Sequence, residues 1–429
     1  MNRRRFLATA ALAGPALAGS SVPAASPAPG PRNTGPAAGP GSATTAGPVR
    51  TGADVLAEEG WRRLAGRRVG VLSNPTGVLG DLTHIVDAMV ADGHPPVAVF
   101  GPEHGFRGTA QAGGSEGTAT DPRTGIPVYD AYGATADALA AMYRHAGVET
   151  VVFDIADVGA RFYTYVWTMY TAMQAAAATG AAFVVLDRPN PVGGRAFGPQ
   201  LDPAFASGVG RKPIVQQHGM TVGELALLFN GEFLPADGGR VSTLDVVPVR
   251  GWRRDELSTG LPWVPPSPNM PTQDTALVYP GTCLFEGTTF TEGRGTTRPF
   301  ETIGAPGVDW RWAERLNAAG LPGVRFRETY FVPTFARFTG TTCGGVQLHR
   351  TGAGGFDAIR TAVTMIVTAR RCYPAAFGWR PDNWIDRLSG SARLRTMVDA
   401  GAGADDVVAA WQQELAEFRR RREPYLRYP

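Results

Sequence analysis

RVGVLS (68–73), VAVFG (97–101), VETVVFD (148–154) and AFVVLD (182–187) are four short apolar runs, each long enough for a strand and too short for a helix. Helical patterns lie between and after them, at 83–91, 136–145, 165–179 and 222–229. Continuous apolar strands are buried on both faces, and strands alternating with helices build a doubly wound, mostly parallel α/β sheet. After about residue 250 the alternation gives way to Pro- and Gly-rich loops. Strands near 324–331 and 344–349 and helices near 356–370 and 405–421 predict a second, smaller α+β unit. The expected division is therefore 51–250 and 251–429.

Ahead of residue 51 the chain reads as an address and a tether. Arg3-Arg4-Arg5-Phe6-Leu7 fits the twin-arginine pattern R-R-x-F-L, and an apolar run then leads to the small-residue site Ala16-Leu17-Ala18. Residues 1–18 are expected to be a signal peptide, so the protein is expected in the cell envelope or outside the cell. A Sec signal with an arginine-rich start is the other reading. Residues 19–50 carry Pro, Gly, Ala, Ser and Thr with few large apolar side chains, the composition of a flexible linker. No cysteine stands near the cleavage site to take a lipid, and no other run is long enough to span a bilayer.

Composition excludes some partners. Removing 1–18 takes away three arginines and no acid, which leaves basic residues equal in number to the 38 acidic ones. A neutral chain has no general attraction for nucleic acid or an anionic membrane. Cys283, Cys343 and Cys372 are too few for a disulfide framework, although one bridge is possible.

Ligands of open parallel sheets bind beyond the carboxyl ends of the strands. Those ends read Asn74-Pro75, Gly101-Pro102-Glu103-His104-Gly105, Asp154-Ile155-Ala156-Asp157 and Asp187-Arg188-Pro189-Asn190-Pro191. One Asp after a strand is usually a cap or turn former. Carboxylates and amides at four consecutive ends predict a site. Asn74-Pro75-Thr76-Gly77 lacks G-x-G-x-x-G, and no phosphate-binding P-loop occurs, so no nucleotide cofactor is expected. Further on, Thr221 and Glu224 have the spacing of a capping box, which leaves His218 to face the site. Asn269 lies in PSPNMPT (266–272), and Glu292 and Arg294 lie in a glycine-flanked loop.

GPEHGFRG (101–108), FDIADVGARFYTY (153–165), LDRPNP (186–191), HGMTVGELA (218–226), PSPNMPT and TEGRGTTRPFE (291–301) together resemble one bacterial family. It is the DUF1343 family, associated with exo-β-N-acetylmuramidases of the NamZ type. The resemblance runs from residue 51 to 429. It implies a Rossmann-like domain, a second domain, an active site in the cleft between them, and release of N-acetylmuramic acid from the non-reducing end of peptidoglycan fragments. Ala156 stands where the family pattern has glutamine, and Thr291 where serine is usual.

Glycoside hydrolysis usually takes two carboxyl groups, one to protonate the leaving oxygen and one as nucleophile or base. Glu103 is the first choice, at a strand end in a motif with no evident packing role, and the resemblance points to it as well. Glu292 is preferred as its partner over Asp154, Asp157 and Asp187, because a site between domains draws on both. Arg161, Arg188 and Arg294 are candidates for the lactyl carboxylate of muramic acid, since a guanidinium forks onto a carboxylate. Asn74, His104, Tyr163, Tyr165, Asn190, His218 and Asn269 are candidates to line the sugar pocket. Two other classes are weighed. Glu103, His104, Asp154, Asp157, Asp187 and His218 could hold a metal for a hydrolase, but no tight ligand spacing is present and no metal is expected. A muropeptide-binding protein without catalysis is the second.

Overall fold

The computed structural model describes residues 47–111, 113–352 and 354–429; the expected signal peptide and most of the expected linker lie outside them. Nine of the strands among the described residues lie before residue 250: β1 (Val69–Ser73), β2 (Ala98–Gly101), β3 (Ala119–Thr120), β4 (Pro127–Asp130), β5 (Thr150–Asp154), β6 (Ala182–Leu186), β7 (Phe197–Gln200), β8 (Val215–Gln217) and β9 (Leu244–Val247). Seven form one sheet in the order β3-β4-β2-β1-β5-β6-β9. All pairs are parallel except β3 with β4. Without its antiparallel edge, this is the Rossmann order, with the chain turning back across β1 to enter β5.

The continuous apolar runs still alternate by face. Val71, Val99, Val152 and Val184 pack with the helices Gly52–Glu58 and Ile85–Ala91. Leu72, Phe100, Val151, Phe153, Phe183 and Val185 pack with Ala136–Ala146, Tyr165–Thr179 and Val222–Leu228. Covering both faces buries every residue of β1, β2, β5 and β6. Truncating one of these buried phenylalanines to Ala costs about 3–5 kcal/mol. Helix Tyr165–Thr179 stops at Gly180, whose φ of 74° suits glycine.

The rest contains an antiparallel sheet of β10 (Thr302–Ala305), β11 (Val324–Phe331) and β12 (Cys343–Arg350), in the order β10-β12-β11, with helices around it. Two details differ from the sequence reading. The helix expected at 405–421 is two, Ala404–Ala409 and Gln412–Arg422, parted where Trp411 turns into the core. The loop-rich stretch after 250 holds the buried helix Gln273–Thr282, disguised by the prolines before it and by Pro280 within it. None of the three cysteines is paired with another. Among the described residues no helix is long and apolar enough to cross a membrane.

The final residues return to the parallel sheet. Arg422, buried, donates to the carbonyls of His218 and Gly219, each at 2.7 Å, and of Gly194 at 2.8 Å. Tyr428 donates its hydroxyl to Asp187 at 2.5 Å.

Candidate active site

The crevice of a Rossmann sheet opens where the strand order reverses, here between β1 and β5. Ser73 and Asp154 are register partners there, and Ser73 Oγ donates to the Asp154 carbonyl at 2.9 Å. Asn74 Oδ1 accepts from the Thr76 backbone at 2.9 Å and from its hydroxyl at 2.6 Å, and that hydroxyl accepts from the Ala156 N–H at 2.8 Å. His84 Nε2 lies 3.0 Å from the Asn74 carbonyl. Side chains thus stitch the two loops together where a dinucleotide fold keeps bare glycine backbone against a pyrophosphate.

Glu103 leaves β2 on a loop that is built with care. Oε1 accepts from the Gly113 N–H at 2.9 Å and Oε2 from the Thr164 hydroxyl at 3.0 Å. The neighbouring motif residues do pack, contrary to the sequence reading. His104, at φ 71°, turns back so that Nδ1 lies 3.0 Å from the Ala110 carbonyl. Gly105, at φ 87°, rests against Glu116, where a Cβ would collide. Glu116 in turn accepts from the Arg107 and Thr109 N–H groups at 3.0 and 2.8 Å. Phe106 is buried edge-on to His84, and Arg107 clamps Asp87 at 2.9 Å and Asp121 at 2.7 Å. The motif is a scaffold that presents one carboxylate. Partial desolvation, and then the nearby Glu103 charge, raise the phenol pKa of Tyr132.

Several candidates are fully committed elsewhere. Asp154 and Arg188 form a buried forked pair at 2.6 and 2.9 Å, and Arg188 also donates to the Val78 carbonyl. Asp187 accepts from the N–H groups of Arg188 and Gly223 and the hydroxyls of Thr221 and Tyr428. Burial pushes its pKa up to about 6 against those donors. Asn190 bridges the Met220 carbonyl and the Val192 N–H. Arg161 is wholly buried and donates to the Leu388 carbonyl at 2.7 Å, with those of Val209 and Arg387 at 3.4 Å. That desolvation pulls its pKa down to about 10. Arg294 lies between Glu286 at 2.8 Å and Glu292 at 2.7 Å, over the Phe300 ring. All three arginines proposed for the lactyl group thus have protein partners, although Arg161 Nε is buried without one. Arg161 and Arg188 are buried in these contacts, and Arg294 already faces two carboxylates.

Other candidates converge. Asp157 Oδ2 accepts from the Gly159 N–H at 2.8 Å and faces His218 Nε2 at 3.1 Å. Because His218 Nδ1 accepts from the Met220 N–H, the ring proton sits on Nε2 and points at Asp157. The Thr221–Glu224 capping box is present behind it. Tyr163 packs edge-on against Tyr165 and Tyr279, and its hydroxyl feels the charges of Asp157 and Glu103. Tyr165 donates to the Pro266 carbonyl at 2.7 Å and lies 3.4 Å from that of Glu103. The Asn269 N–H donates to Ser267 Oγ in the same turn. A cleft opens beside this cluster, walled by Thr76, Ala156, Asp157, Arg188, Trp263 and Pro266. Glu103 is outside its lining and meets it through the Tyr165–Pro266 bond.

Thr164, Tyr279 and Glu286 were not legible as site residues. Glu286, in Phe285-Glu286-Gly287, has its pKa raised by burial, opposed by Arg294. Its one sequence signal is a carboxylate inside an apolar run. Among the described residues no group of three or more His, Cys, Asp or Glu is placed to hold a metal ion.

Two family models cover the chain. The one described as exo-β-N-acetylmuramidase NamZ, N-terminal, matches residues 69–274, and its C-terminal counterpart matches 277–428. The chain belongs to the NamZ family. It is 45% identical over 388 residues to the peptidoglycan β-N-acetylmuramidase NamZ of Bacillus subtilis, across 89% of this chain and 91% of that one. Two crystal structures of DUF1343 family proteins from Bacteroides fragilis superpose with TM-scores of 0.80 and 0.72, each at 32% identity over 89% of this chain and 99% of the other. The NamZ fold is thus shared by solved relatives.

Proposed function

We propose that this chain is an exo-acting glycoside hydrolase that releases terminal N-acetylmuramic acid from the non-reducing end of peptidoglycan fragments. The observation that carries the reading is the Glu103 loop: a scaffold of ion pairs and positive-φ turns whose product is one carboxylate held by Thr164 and Gly113, with Tyr165 linking it to Pro266 on the cleft wall. Glu103 protonates the leaving oxygen. Glu292, with only Oε1 engaged by Arg294, is the second carboxylate, acting as nucleophile or base. The reaction takes place where the two family segments, 69–274 and 277–428, meet, with Glu103 from the first and Glu292 from the second. Trp263, its indole N–H fixed to the Met270 carbonyl at 3.0 Å, offers a flat apolar surface for a sugar ring. The protein works after export, in the envelope or outside the cell, on muropeptides or disaccharides.

The test is turnover of a chromogenic β-glycoside of N-acetylmuramic acid, with the N-acetylglucosamine glycoside as control. Release from the first and little from the second is expected. Tight binding with no release would leave a muropeptide-binding protein in its place.

A further inference from the structure

Three polar atoms near Glu103 are buried and meet no partner at good hydrogen-bond geometry among the described residues: Asn74 Nδ2, Asp157 Oδ1 and Tyr163 Oη, the first with the Tyr165 hydroxyl near it and the last with that of Ser267. An unpaired buried polar group costs about 1–3 kcal/mol, and a native fold carries few of them. Three in one neighbourhood therefore point to a ligand. The neighbourhood is shared. Asn74 is bonded to Thr76, whose hydroxyl holds the loop that carries Asp157. Tyr163 feels the charge of Asp157, and Tyr165, against Tyr163, faces Asn74.

The donor or acceptor character of each atom is fixed by its surroundings. Asn74 Oδ1 accepts a backbone N–H, so its other terminal atom is the NH₂ and can only donate. Asp157 Oδ2 is taken by Gly159 and by His218, so Oδ1 remains as an acceptor. Tyr163 supplies a hydroxyl. One acceptor and two donors are the complement of a secondary amide, which offers one N–H and one carbonyl oxygen.

We infer that Asn74, Asp157 and Tyr163 form a recognition site for the 2-acetamido group of the sugar. The amide N–H donates to Asp157 Oδ1, and the amide oxygen accepts from Asn74 Nδ2 and Tyr163 Oη. His218 is a positioning residue that holds Asp157 from behind. The inference rests on the hydrolase reading for the identity of the sugar, while the amide complementarity rests on the three atoms alone. A site built to hydrogen-bond a group rejects the analogue lacking it far more strongly than an apolar pocket does, by up to about 10⁴-fold or more.

The experiment compares an aryl β-glycoside of N-acetylmuramic acid with the same glycoside bearing a 2-hydroxyl, so that both keep the lactyl carboxylate. Binding of the two free sugars is measured alongside by titration calorimetry. The variants are Asn74→Asp, Asp157→Asn and Tyr163→Phe, all close to isosteric. Tyr163→Phe removes at most a poorly aligned contact with Ser267, so it stays informative even where the others misfold. Wild type should prefer the acetamido sugar, and each folded variant should lose at least about tenfold of that preference. An unchanged preference in Tyr163→Phe and the other folded variants overturns the site, as does a wild type that treats both sugars alike. Binding that prefers the acetamido sugar, weakened in Tyr163→Phe but without turnover of any glycoside, would sink the hydrolase reading and keep the site.

Discussion

Thr164 stands at the N-cap of helix Tyr165–Thr179, yet its hydroxyl does not cap that helix; it donates to Glu103 Oε2 at 3.0 Å. A cap is worth about 1 kcal/mol, so the helix forgoes that stabilisation to hold a loop carboxylate. Thr164→Val should lower kcat roughly tenfold with little change in KM, and Thr164→Ser should restore it. Equal loss in both variants, in step with loss of thermal stability, would make the contact structural.

Glu103→Gln keeps the shape of the side chain and removes the proton. Turnover of a poor leaving group should fall by roughly a hundredfold or more while binding persists. An activated aryl leaving group should recover part of the rate if Glu103 is the acid. Near-normal turnover of the poor substrate would remove it from the mechanism.

Arg188→Ala should leave Asp154 as a buried charge without its partner. A destabilisation of about 3–5 kcal/mol is expected in chemical denaturation. The preference for muramic acid over N-acetylglucosamine in the surviving folded protein should be unchanged. A selective loss of that preference would return Arg188 to the lactyl group.

Asp121 ties the Glu103 loop to pH. Burial alone would raise its pKa, but the Arg107 guanidinium and the Thr124 hydroxyl outweigh it and bring the pKa from 3.8 to about 2. The folded state holds this proton more weakly than the unfolded state, so its stabilisation is complete above pH 4 or so and is lost as pH falls toward 2. The stabilisation is roughly 2 kcal/mol. Unfolding free energies of wild type and Asp121→Asn should differ by about that much at pH 6 and converge in acid. A constant gap would show that charge is not what the pair contributes.

EDTA treatment of the purified protein should leave muramic acid release intact. Activity lost on chelation and restored by a divalent ion would refute the metal-free mechanism.

The parallel core was legible because β1, β2, β5 and β6 are unbroken runs of large and β-branched residues between helix signals, and helix Tyr165–Thr179 lies at its expected limits. β9, with only Val247 buried, gave a weaker pattern at the sheet edge. Helix Gln273–Thr282, buried along most of its length, has little polar face for a 3.6-residue period to reveal. At the site, spacing marked which residues gather but not what each one bonds. Asp154 and Asp157 look alike in Asp154-Ile155-Ala156-Asp157, yet one is locked to Arg188 and the other keeps an oxygen unshared. That difference depends on residues more than thirty positions away.

The return of residues 422–429 to the first sheet sets an order of assembly. Asp187 closes β6 less than halfway along the chain, but Tyr428, one of its four donors, is made near the far end. The carbonyls of Gly194, His218 and Gly219 likewise wait for Arg422. A ribosome-bound chain can align its parallel strands early, but it cannot complete their polar seams until residue 428 has emerged. The sheet half is therefore the first to be synthesised and among the last to be finished.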